Sequence, residues 1–72
     1  MQTERYRGYD LWGHAIAQQG GILEQERFAS SGTVTREGKL VIASDVLDIV
    51  DDEERAQHLG IEWARAWVDG NG

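Results

Sequence analysis

Two histidines, a run of carboxylates and one basic, aromatic segment are the groups whose types and spacing bear on chemistry. His58 has Glu54 and Glu62 four residues to either side, so a helix would bring a carboxylate to its imidazole. With no third group converging on it, that arrangement reads as a solvated helix face. His14 alternates with Trp12 and Ile16 and reads as surface or cross-strand packing on a strand. Asp48, Asp51, Asp52, Glu53 and Glu54 lack the alternating oxygen ligands and central Gly of a calcium loop. Helix capping and the helix dipole account for four of the five. The chain has no Cys, which excludes disulfides, Cys-type zinc sites and thiol catalysis. Ser30, Ser31 and Ser44 lack a Gly-x-Ser-x-Gly elbow. Gly20-Gly21 leads into a strand, where a phosphate loop needs a helix. No catalytic residue, metal or cofactor is expected, and the chain reads as non-enzymatic.

Arg5-Tyr6-Arg7-Gly8-Tyr9 joins cations to aromatic rings, the chemistry by which sheets hold single-stranded nucleic acid. With Arg27 and Arg36 it supplies the alternative reading of the chain as such a binder. The charge balance opposes it. Thirteen acidic residues against seven basic give a net charge of -6. Residues 1–36 are balanced, so the whole excess lies in residues 37–72. Phosphate contacts by Lys and Arg dominate polyanion affinity, and an acidic half works against them. It works equally against anionic membrane surfaces. No apolar h-region marks a signal peptide and no run approaches a membrane span, so a soluble, cytoplasmic protein is expected.

The elements that must position these groups follow from periodicity. Residues 5–17 alternate as a strand, with Tyr9, Leu11, Gly13, Ala15 and Ala17 on one face and Asp10, Trp12, His14 and Ile16 on the other. Gly20-Gly21 predicts a hairpin turn. Residues 22–30 read as a second, partly exposed strand ended by Ser31-Gly32. Residues 33–36 and 39–43 flank a tight Glu37-Gly38 turn, and Lys39–Ala43 is expected to be the best-buried strand. Residues 44–50 fit either a short strand or an irregular crossover.

A helix over about residues 52–68 is predicted from Asp51 as N-cap, Glu54 at N3 and Gly70 as the stop. Its expected apolar stripe is Ala56, Leu59, Gly60, Trp63, Ala66 and Trp67. Residues 70–72 are expected to fray. Strands first and one helix last predict an α+β domain over residues 1–72, an antiparallel meander of three or four strands with the helix on one face.

The strings Tyr6-Arg7-Gly8-Tyr9-Asp10-Leu11, Thr33-Val34-Thr35-Arg36-Glu37-Gly38-Lys39 and Trp63-Ala64-Arg65-Ala66-Trp67-Val68-Asp69-Gly70 span most of the chain. In them the chain resembles short proteobacterial proteins built of strands followed by one helix. The resemblance implies that architecture and carries no activity, cofactor or functional residue.

Size then bears on partners. A chain of 72 residues buries only about 60% of its unfolded surface and has no disulfide or metal staple. One helix covers one sheet face. The other face, with Trp12, Ile16 and Phe28, is the candidate interface, with Ile61 and Val68 at the rim of the helix stripe. The expected partner is a second copy, in a closed homodimer, or another protein.

Overall fold

The computed structural model describes residues 1–18 and 26–71. It has an α+β fold: an antiparallel sheet with one C-terminal helix packed on it. The elements are β1 (Gln2–Tyr6), β2 (Tyr9–Gln18), β3 (Arg27–Arg36), β4 (Lys39–Ala43), β5 (Asp48–Val50) and α1 (Glu53–Asn71). The sheet order is β1-β2-β3-β4, with β5 also paired to β3.

Two of the hairpins use the same device. Arg7-Gly8 joins Tyr6 to Tyr9 with φ of 50° and 83°, and Glu37-Gly38 joins Arg36 to Lys39 with φ of 52° and 78°. Two successive residues at positive φ match the twist of the strands they connect. The second turn is where the sequence places it. The first divides the expected 5–17 strand into β1 and β2. The Gly20-Gly21 turn and the start of the expected second strand lie outside the described residues.

β3 runs unbroken through Ser31-Gly32, where a turn was expected. Its far edge is shared by β4 at one end and β5 at the other. Between them, Ser44 N and Leu47 N donate to Gly32 O and Ser30 O at 2.8 Å, and Gly32 N donates to Ser44 Oγ at 2.8 Å. Residues 44–50 therefore follow β3 as an interrupted edge strand, with Asp45 and Val46 exposed. β3 is the best-buried strand, because it alone has neighbours along both ends of both edges and lies under α1. β4, expected in that role, is a mostly exposed edge.

The core lies between α1 and the inner face of β2 and β3: Leu11, Val34, Ile61, Ala64 and Val68, flanked by Tyr6, Tyr9, Ile42, Trp63 and Trp67. The buried ridge of α1 is Ala56, Gly60, Ala64 and Val68, with Ile61 beside it. Leu59, Trp63 and Trp67 are only half-buried and Ala66 is exposed, so the real stripe is rotated from the expected one. The cause is steric. Gly13 and Gly32 are register partners, and Gly60 rests on them. Small residues at every fourth position let the helix backbone reach the sheet, and the tryptophans fill the flank.

Asp52 caps α1, with its Oδ1 accepting from Glu54 N at 3.1 Å and its carbonyl from Ala56 N at 3.0 Å. The cap is one residue beyond the expected Asp51. At the other end the helix continues through Gly70 to Asn71.

Candidate functional site

Register pairing assigns each strand residue to a face, because directly paired residues project to the same side. Leu11, paired to Val34, faces α1; its neighbour Trp12, paired to Thr3 and Thr33, faces away. His14 pairs with Ser31, Ile16 with Ala29, and Ala29 with Ile49 on the same outer face. Asp10 pairs with Arg5 and with Thr35, and Thr35 with Leu40. No element among the described residues covers this face.

The polar groups of the outer face are largely engaged with one another. Trp12 Nε1 donates to Thr35 Oγ1 at 2.9 Å, and His14 Nε2 lies 3.0 Å from Thr33 Oγ1. Both bonds run diagonally from β2 to the next outer residue of β3. Arg5 Nη1 and Asp10 Oδ1 stand 3.6 Å apart. Between them the face offers apolar surface. Ile16 is 51% exposed, Ile49 47% and Leu40 68%; Val41, the extra residue at a bulge opposite β3, is also exposed. None of the exposed large hydrophobic residues belongs to α1.

Of the five candidate interface residues, the structure brings Trp12 and Ile16 together on this face. Phe28 pairs with Val50 on the opposite face and is buried. Ile61 and Val68, expected at a rim, are core residues at 4% and 0% exposure. They are buried because the Gly60 contact turns their side of the helix inward. Leu40 and Ile49 join the surface in their place. Leu40 escaped the sequence reading because Lys39–Ala43 is apolar throughout, which marks a buried strand and an apolar edge alike.

The basic, aromatic segment folds against the C-terminal part of α1. Tyr6 OH donates to Asp69 Oδ1 at 2.6 Å, and Arg7 Nε lies 3.6 Å from the same oxygen. The Arg7 and Arg65 guanidinium groups lie 5.5 and 5.6 Å from the Tyr6 ring centroid. Arg65 Nε donates to Glu4 Oε2 at 3.2 Å, with Nη2 on the same atom. Arg36 stands 5.2 Å from the Tyr9 ring, which also meets Trp67 edge-on at 6.4 Å. The hydrogen bond to Asp69 raises the Tyr6 pKa above its usual 10.0, and Glu4 raises that of Arg65. Asp69 would oppose the helix dipole at this end; Tyr6 and Arg7 offset it. The tyrosine rings are thus occupied within the fold, and Arg5, Arg7 and Arg36 are each engaged.

His58 Nε2 lies 3.2 Å from Glu62 Oε1 on the exposed helix face. Among the described residues no group of three or more His, Asp or Glu side chains is placed to hold a metal ion. No described helix is long and apolar enough to cross a membrane. Comparison with protein-family models, with curated proteins and with solved structures finds no match for the chain.

Proposed function

We propose that the protein is a non-enzymatic association module that works as a homodimer, joined through the outer face of its sheet. The observation that carries this reading is the exposed pair Ile16 and Ile49, which flank the buried Ala29 in one outer-face row across β2, β3 and β5. Contiguous exposed apolar surface marks association sites.

Charge favours a second copy as the occupant. Asp10 is the single carboxylate among the outer-face positions described, and Arg5 pairs with it. The acidic excess sits instead on α1 and the segment before it. Two copies of a chain of net charge -6 can therefore meet face to face with their carboxylates pointing apart. The strand residues span on the order of 500 Å² in projection, before side-chain relief is counted, against about 800 Å² per partner in a standard interface. Sheets packed in this way form a sandwich with about 10 Å between layers. The nucleic-acid alternative retains Trp12 beside Arg5, but the rings of Tyr6 and Tyr9 and the guanidinium groups of Arg7 and Arg36 are engaged elsewhere.

Sedimentation equilibrium over about a hundredfold range of concentration tests the reading. The wild-type chain is expected to approach twice its 8.1 kDa mass, and Ile16→Glu to remain monomeric with an unchanged helix signal. A wild-type mass of 8.1 kDa at every concentration would overturn it.

A further inference from the structure

We infer that each copy in the dimer seats its Leu40 in a depression beside Trp12 of the other copy. This inference rests on the homodimer reading above and adds which part of the face meets which.

The depression has a volume of ≈ 420 Å³ and is lined by Thr3, Glu4, Arg5, Asp10 and Trp12. It lies at the β1–β2 edge of the sheet. Trp12 Nε1 is already bonded to Thr35, so the indole offers its remaining surface as an apolar wall. At the opposite edge, on β4, Leu40 is 68% exposed. Register places the two at one height. Arg5, Asp10, Thr35 and Leu40 are successive partners in a single row across β1, β2, β3 and β4. Hole and knob therefore end the same row on the same face.

A two-fold axis lying in the interface over β3 and parallel to the strands exchanges β2 with the β4–β5 edge and keeps every height. Each Leu40 then meets the other copy's depression, and the contact occurs twice, as a closed interface requires. The same operation lays the row Ile16–Ala29–Ile49 on its own reverse, so isoleucine meets isoleucine.

Cysteine pairs test the seating, since the chain has no cysteine of its own. In Thr3→Cys/Leu40→Cys the two thiols of one chain lie three strand spacings apart, about 14 Å, beyond the reach of a disulfide. Treatment with a short bis-maleimide is expected to give a covalent dimer from the double variant and little from either single variant. Leu40→Asp is expected to raise the dimer dissociation constant at least about tenfold while leaving the thermal melt of the monomer in place. Cross-linking of Leu40→Cys alone as efficient as that of the double variant would overturn the seating. So would an unlinked double variant whose parent chain sediments as a dimer, and the homodimer reading would then survive. A parent chain that sediments only as a monomer removes both.

Discussion

Gly60 of the helix rests on Gly13 of the sheet: a Cβ on Gly60 would stand 2.8 Å from the Gly13 Cα and would collide with the Ser31 carbonyl. Gly32, the register partner of Gly13, meets the same turn of helix, where an added Cβ would lie 2.5 Å from the Gly60 carbonyl oxygen. Three glycines therefore set the distance and rotation of α1 on the sheet. They decide which helix residues are core.

Gly60→Ala is expected to destabilise the fold by about 3 kcal/mol, because backbone on both sides must move. That is a large part of the roughly 4–11 kcal/mol that a domain of this length has in total. Gly70→Ala is the control. Nothing lies within 4 Å of a Cβ there, so the better helix former should stabilise α1 by up to about 1 kcal/mol. Urea titrations of the two variants should move in opposite directions.

Leu11→Ala is expected to cost about 2–5 kcal/mol, since the side chain is fully buried among Val34, Ile61 and Val68. Leu40→Ala, at an exposed position, should leave a dilute sample's melting temperature nearly unchanged. Equal losses from the two would contradict the layering.

Ser30 joins the layers through a polar contact. It is fully buried and its Oγ donates to the Ala56 carbonyl oxygen at 2.5 Å. Ser30→Ala is expected to cost about 1 kcal/mol, the net worth of one such hydrogen bond. Ser30→Val adds bulk under the helix and should cost more. Thermal melts of the pair separate the bond from the fit.

Alkaline stability reports the Tyr6–Asp69 contact. The folded-state pKa of Tyr6 is raised above 10.0, chiefly by the hydrogen bond to Asp69, so the folded chain holds this proton more tightly than the unfolded one. The contribution is fully present below the unfolded pKa and is lost as pH rises through the folded one. Melts taken from pH 8 to 11 should show a loss of stability at the top of the range. That loss should be smaller in Tyr6→Phe, which has no proton to lose at this site.

Single-stranded nucleic acid is expected to bind weakly or not at all at physiological salt, given a net charge of -6 and the engaged arginines. Fluorescence anisotropy with a labelled oligonucleotide measures this. Submicromolar binding that disappears in Arg5→Glu/Arg7→Glu would favour the alternative reading over the dimer.

The order of strands and helix was legible in the sequence because periodicity is local. Alternation placed Leu11 and Trp12 on opposite faces, and Glu37-Gly38 and the acidic run before α1 marked a turn and a helix start. Those signals depend on residues a few positions apart. What the chain could not display locally was decided by contacts between distant segments. Trp63 and Trp67 are the largest apolar groups of the helix, so hydropathy centres the stripe on them. Close packing centres it on the smallest residue, because only Gly60 allows the helix backbone to reach Gly13 and Gly32. The same contact draws Ile61 and Val68 into the core. Leu40 is left outside for a comparable reason. Apolar character is a property of the residue, whereas burial of β4 depends on whether the helix crosses it, and α1 lies over β2 and β3.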